Sequence, residues 1–264
     1  RNMKNHMITK LFLLITVLIL LAGCSPSISG DENNDSSSPG SDSQTTDMQE
    51  SDDQTASGSA SAGIDMTGLP DPIDVRSSDD GGLLVLVNKL HTVSADYYPT
   101  DMVAVDGSLS TNQGLYFKRE AYDAYLKMLS AAKADGINFL ICSAYRSYDT
   151  QKSLYDSSLS AYGADFTYTR TAYPGRSEHH TGWAVDITSA SMGYGLSQDF
   201  INYPEGQWIN EHCSEYGFII RYPEGKTHIT GYDYEPWHLR YVGIDTAKEI
   251  TGSGLTLEEY LGEA

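Results

Sequence analysis

From Ser25 to Asp80 the chain carries thirteen acidic residues against one basic residue, Arg76, set among serine, glycine and glutamine with few large apolar side chains. Such a segment cannot bury enough surface to offset the entropy of ordering it, and its like charges repel. Residues 25–80 therefore read as a disordered acidic linker, and any hydrophobic core is confined to residues 81–264. That remainder suffices for one domain of ordinary size. Much of the formal net charge of −19 lies in the linker, because the part from Gly81 onward has twenty-three acidic against thirteen basic residues. No Lys/Arg cluster is present to neutralise phosphates, so nucleic acid is not expected as a partner.

Ahead of the linker, Lys4 and Lys10 precede LFLLITVLILLAG, an apolar run too short for a comfortable membrane span and shaped like an export signal. It ends at Leu21-Ala22-Gly23-Cys24, which resembles the lipobox of bacterial lipoproteins. The resemblance implies a signal peptide over residues 1–24, lipid on Cys24, and a tether holding the folded part off the outer face of the membrane. An ordinary cleaved signal and an uncleaved anchor are the competing readings. With Cys24 assigned, Cys142 and Cys213 read as two buried thiols, although a disulfide is left open.

Within the folded part, LLVLVNKLHTV from Leu83 is strand-like. From Phe117 to Lys133, Tyr122, Tyr125, Leu126 and Leu129 fall at helical spacing, with Gly136 as a stop. INFLICSAY reads as a buried strand, and Ser147 as the cap of a helix that ends at Gly163. WAVDIT and FIIRY are short strands on either side of a helical stripe formed by Trp208, Ile209, His212, Cys213 and Tyr216. A turn-rich loop over residues 223–233 precedes PWHLRYVG, in which Trp237, Leu239 and Tyr241 alternate with His238, Arg240 and Val242. Thr256 and Glu259 have the spacing of a capping box. Helices and strands mix without a βαβ repeat or a glycine-rich phosphate loop, so the class is α+β.

A zinc hydrolase needs three protein ligands, commonly histidines with a carboxylate, and a nearby base that does not bind the metal. SEHHTGWAVDIT, from Ser177, and EPWH, from Glu235, together offer such a set. His179 and Asp186 are seven residues apart and would face opposite sides of a straight strand, so a bend is required, and Thr181-Gly182 supplies one. Pro236 keeps Glu235 out of strand pairing, while His238 lies opposite Trp237. By residue type alone, paired histidines near an aspartate also describe a polar surface loop.

Order and context narrow the choice. Ser177, His179, Gly182, Ala184 and Asp186, followed by Glu235, Trp237 and His238, resemble the Ser-x-His-x-x-Gly-x-Ala-x-Asp and Glu-x-Trp-His signatures of the VanY-like D-alanyl-D-alanine carboxypeptidases. LVNKLHTVSADYYPTDMV and SAYRSYDTQ resemble two further stretches of that family. The resemblance implies a single zinc-peptidase domain with a small, mainly antiparallel sheet flanked by helices. It implies one Zn2+ held by His179, Asp186 and His238, with Glu235 as general base and then proton donor. Arg146 would face the developing negative charge. Ser177 and Gln151 would be substrate-side groups or supports of the site; local structure is their other reading.

The implied partner is the peptidoglycan stem peptide, whose terminal D-Ala would be removed by an exported, membrane-tethered monomer. His180 is expected beside the site rather than on the metal, because adjacent side chains in an extended chain diverge. His91, His212 and His228 match no ligand position. Trp183 and Trp237 are expected in the core or the pocket wall, and the nineteen tyrosines in amphipathic packing. Other readings stay open: a D,D-dipeptidase or endopeptidase in the same pocket, an Fe(II) oxygenase triad, and a non-catalytic wall-binding lipoprotein. Glu235 beside a ligand histidine argues against the last two.

Overall fold

The computed structural model of the chain describes residues 73–74 and 82–264, all within the unit Gly63–Ala264. The export signal, Cys24 and most of the expected linker lie outside the described residues. Within the stretch read as linker, β1 (Ile73–Asp74) pairs in parallel with β2 (His91–Thr92). β3 (Met102–Ala104) and β4 (Tyr116–Lys118) form an antiparallel pair that leads into α1 (Arg119–Ala134). β5 (Leu140–Ser143), α2 (Tyr148–Tyr162) and α3 (Ala164–Arg170) follow. A 3-10 turn, Glu178–Thr181, opens into β6 (Ala184–Thr188). The chain continues through α4 (Pro204–His212), β7 (Phe218–Ile220), α5 (Thr227–Thr230) and β8 (His238–Tyr241), and closes with α6 (Ile244–Ser253) and α7 (Leu257–Leu261).

The architecture is α+β, as the sequence indicates. Its centre is a four-stranded sheet in the order β5-β6-β8-β7, antiparallel throughout. All five residues of β6 and all four of β8 are buried. Both strands are covered on both faces, which is why they read as apolar runs interrupted only by residues with a chemical task. α1 lays Ala121, Tyr125, Met128, Leu129 and Ala132 into the main core with Phe117, Phe139, Ile141, Val185, Ile187 and Leu239. Each large side chain buried there contributes roughly 1.5–3 kcal/mol. A second cluster, Leu86, Ile219, Val242, Ala247, Ile250 and Leu257, seats the last two helices.

Three local expectations are corrected. LLVLVNKLHTV forms a strand only at β2: Val85 N closes a turn on Gly82 O, and the carbonyls of Leu83 and Val85 accept from Arg240 Nη2 at 2.9 and 2.8 Å. A buried guanidinium stands where a neighbouring strand would. The helix expected from Phe117 starts at Arg119, because Phe117 pairs with Val103 in the β3–β4 ladder. Leu126, expected on the buried stripe, is exposed, since the buried face turns through Ala121 and Met128 instead.

The caps follow the sequence closely. Ser147 Oγ accepts from Thr150 N at the start of α2, and the Thr256–Glu259 capping box is complete at α7. Cys142 and Cys213 are separate thiols.

Candidate metal centre

The centre of the sheet brings three polar side chains into an apolar interior. Asp186 on β6 and His238 on β8 are register partners in the antiparallel ladder, so their side chains leave the same face side by side. Nδ1 of His238 lies 2.9 Å from Oδ1 of Asp186. His179 arrives from the 3-10 turn before β6. That turn ends at Gly182, whose φ of +70° is the left-handed conformation that glycine alone adopts freely, and a Cβ there would sit 2.8 Å from Met102 Sδ. The bend that the odd spacing of His179 and Asp186 demands is therefore present. Nε2 of His179 stands 3.2 Å from Oδ2 of Asp186.

The three donor groups lie within 4.8 Å of one another, and all three residues are buried. Nδ1 of His179 donates to Ala144 O at 2.6 Å, and burial, reinforced by Arg146, lowers the ring pKa to about 4. Its Nε2 is therefore a lone pair near neutral pH, and it has no hydrogen-bond partner. Burial alone would raise the pKa of Asp186, but it is held well below the carboxylate range, with the His238 ring hydrogen-bonded to it. A nitrogen lone pair thus points at a carboxylate oxygen across 3.2 Å, an arrangement that calls for a cation. Two imidazoles and a carboxylate suit zinc, so the residues present fit the metal that the sequence implies.

Glu235 and His238 bracket a tight turn. Pro236 follows Glu235, His238 N donates to Glu235 O at 3.1 Å, and β8 begins only at His238. This leaves Glu235 off the sheet, with Oε2 3.9 Å from His238 Nδ1. Burial, with Asp186 adding to it, lifts the Glu235 carboxyl to about 8, the range in which a carboxyl both takes and returns a proton. Burial would lower His238, but the Asp186 and Glu178 carboxylates on either side of the ring outweigh that cost and raise it to about 9. Tyr222 packs on the His238 ring at 4.9 Å between centroids.

Arg146 completes the group, its Nη2 3.7 Å from Asp186 Oδ2. Its backbone is held from both sides, since its N–H donates to His179 O at 3.1 Å and its carbonyl accepts from His180 Nδ1 at 2.7 Å. The other ring nitrogen of His180 accepts from Gly175 N at 3.1 Å. With both nitrogens engaged, His180 is a brace for the arginine segment. Ser177 is buried at the start of the 3-10 turn, where its carbonyl accepts from His180 N. Gln151 is fully buried and donates to Ala172 O at 2.7 Å, leaving Oε1 unpartnered.

The remaining residues weighed from sequence fall outside the candidate ligand set. His91 bonds Asn88, His212 bonds Glu215, Trp183 stacks on Tyr241, and Trp237 packs against the core edge.

Sequence reasoning missed a buried charge network behind His238. Oε1 of Glu178 accepts from Arg221 Nε at 2.6 Å and from Arg240 Nη1 at 2.8 Å. Arg221 also makes a two-pronged pair with Glu258 of α7, at 2.8 and 2.6 Å. Both arginines and Glu178 are completely buried. The signal was available: an arginine in each of the apolar strands FIIRY and HLRYV needs an internal carboxylate partner.

Comparison with known proteins agrees with this geometry. Residues 114–244 match the family described as VanY, D-alanyl-D-alanine carboxypeptidase. The chain is 45% identical over 181 residues to YodJ of Bacillus subtilis (strain 168), a match covering 67% of this chain and 66% of that protein. It is 32% identical over 179 residues to the bifunctional D-Ala-D-Ala dipeptidase and carboxypeptidase VanXYC of Enterococcus gallinarum, covering 67% of this chain and 92% of that one. For YodJ and two enterococcal D-alanyl-D-alanine carboxypeptidases, the match spans 66, 57 and 65% of the relative's length. Among solved structures, the LdcB LD-carboxypeptidase is similar at 43% identity and a TM-score of 0.66, over 71% of this chain and 89% of that one.

Proposed function

This chain belongs to the VanY family of D-alanyl-D-alanine carboxypeptidases, and from that premise we propose that it is a zinc carboxypeptidase releasing the terminal D-Ala of peptidoglycan stem peptides. The observation that carries the reading is the pairing of the His179 Nε2 lone pair with the Asp186 carboxylate beside His238, with Glu235 next to them. A solved VanY structure, 33% identical to this chain, is described in complex with Zn(II).

In this reading His179 Nε2, Asp186 and His238 Nδ1 hold the zinc. Bound there, zinc would act as a Lewis acid and bring the pKa of the attacking water down toward neutral. Glu235 takes the proton of the attacking water on its carboxylate and returns it to the leaving amine, a double duty its raised pKa suits. Arg146, fixed through its backbone by His179 and His180, presents a guanidinium to the oxygen on which negative charge develops. His238 is buried, with Tyr222 packed on its ring. Ser177 and Gln151 are assigned to the substrate side, and the unpartnered Oε1 of Gln151 supports this for the latter.

The terminal bond has two readings. The family description favours D-Ala-D-Ala, whereas the likeness to LdcB, at 43% identity against 34% for a VanYB structure in complex with D-alanine-D-alanine, favours a bond between an L and a D residue. Incubating the purified protein with stem pentapeptide and stem tetrapeptide, before and after chelation and zinc restoration, separates them by product mass. Zinc-dependent loss of D-Ala from the pentapeptide alone supports the D,D reading. Loss from the tetrapeptide alone supports the L,D reading, and cleavage of neither removes the carboxypeptidase assignment.

We infer an extracytoplasmic setting, with Cys24 as a lipid anchor and the part of residues 25–80 ahead of β1 as the tether. No helix among the described residues is long and apolar enough to cross a membrane; the likeness of residues 21–24 to a lipobox supports Cys24 as the anchor. Replacing Cys24 with alanine should move the protein from the membrane fraction to the medium.

A further inference from the structure

Two buried polar atoms behind the metal centre have no hydrogen-bond partner: Oε2 of Glu178 and Nε2 of His238. They face each other at 3.5 Å. Each is the complement the other lacks, and buried polar groups left unpaired are costly, so a small approach satisfies both. The opposite oxygen of Glu178 is fully occupied by Arg221 and Arg240. Arg221 is shared with Glu258, so two carboxylates and two guanidiniums balance without any charge from His238. Glu178 therefore asks the ring only for a proton to accept.

We propose that Glu178 is a positioning residue of the metal centre: its Oε2 accepts the Nε2–H of His238 and thereby commits Nδ1 of that ring to the metal. The inference rests on the zinc-peptidase reading and adds a residue that does not touch metal or substrate. The two arginines fix which oxygen of Glu178 is free, and that makes the arrangement directional. A glutamine at this position must turn its carbonyl oxygen toward the two guanidiniums, so its amide nitrogen faces His238. The amide then donates to Nε2, drives the ring proton onto Nδ1, and blocks the atom that would bind zinc.

The test uses the full chain. Zinc affinity is measured by chelator competition for wild type, Glu178→Gln and Ile250→Ala, with cobalt absorption as a second readout of ligand geometry. Ile250 lies in the second core cluster and contributes no polar group to the metal centre or to the charge network, so its truncation controls for lost stability. The expected result is a 10–100-fold loss of zinc affinity and an altered cobalt spectrum in Glu178→Gln, against wild-type values in Ile250→Ala. Unchanged affinity in Glu178→Gln, or equal loss in both variants, overturns the proposal. If Glu178→Gln does not fold, long-range proton–nitrogen spectra of the zinc-loaded wild type decide: a ring proton on Nε2 of His238 supports the proposal and one on Nδ1 overturns it. A wild type that binds no zinc overturns the zinc-peptidase reading itself, a different failure from unchanged affinity in the variant.

Discussion

Asp186 and His238 stand opposite each other on neighbouring antiparallel strands, with Oδ1 of the carboxylate 2.9 Å from Nδ1 of the ring. Sheet register alone therefore brings together two of the three candidate ligands, and any variant that preserves the β6–β8 ladder keeps them paired. His179 and Glu235 come from turns at the ends of those strands, so their placement depends on local turn chemistry as well.

Glu235→Ala separates metal binding from proton transfer. The residue is next to the ligands but is not needed to complete their set, so zinc content should stay at the wild-type level. Removing a positioned general base should lower kcat by about 10²–10⁴-fold. Metal analysis and turnover on the same preparation check both halves, and retained activity would remove the assigned base.

The adjacent histidines should behave differently. His179→Ala deletes the nitrogen whose lone pair faces Asp186, and should lose both zinc and activity. His180→Ala leaves Arg146 O and Gly175 N without their ring partners, so it should keep its zinc while losing about 1–3 kcal/mol of stability. Parallel metal stoichiometry and thermal unfolding distinguish them. Zinc retained in His179→Ala and lost in His180→Ala would reverse the assignment.

Gly182 sets the bend on which His179 depends. Gly182→Ala places a Cβ at 2.8 Å from Met102 Sδ in a backbone with φ of +70°, and should cost about 1–3 kcal/mol together with a weaker zinc site. At Gly252, in α6, a Cβ would meet open space, so Gly252→Ala should be neutral or slightly stabilising. Unfolding curves of the two variants measure the contrast.

What the sequence made legible follows from where its constraints act. Caps and stops at Ser147, Gly163 and Thr256 are local chemistry, and they appear as read. The candidate ligands were legible because their types and spacing match a known order, and the bend at Gly182 because odd spacing requires one. The stretch from Leu83 was misread because its backbone carbonyls are claimed by Arg240, more than a hundred residues away, which no local pattern encodes. The Glu178–Arg221–Glu258 network was only half legible: an arginine inside an apolar strand signals that a buried partner exists, but only the fold shows which carboxylate it is.

That network also sets the acid limit of the fold. Burial would raise Glu258, but Arg221, first through its charge and then through its hydrogen bonds, holds it below the ordinary carboxyl value of 4.5. A depressed carboxyl contributes stability that is fully present above the unfolded value and is lost as pH falls through the folded one. Near neutral pH, Glu258→Gln should cost about 3 kcal/mol, on the order of 10 °C in Tm, because it leaves Arg221 short of a buried counter-charge. As pH drops below 4.5 the wild type loses this contribution, so the gap between the two proteins should narrow. Thermal unfolding of both proteins from neutral pH down to the acid transition checks the sign: a gap that stays constant would mean that the fold does not hold the Glu258 carboxyl down, and a gap that widens would mean that the fold raises it.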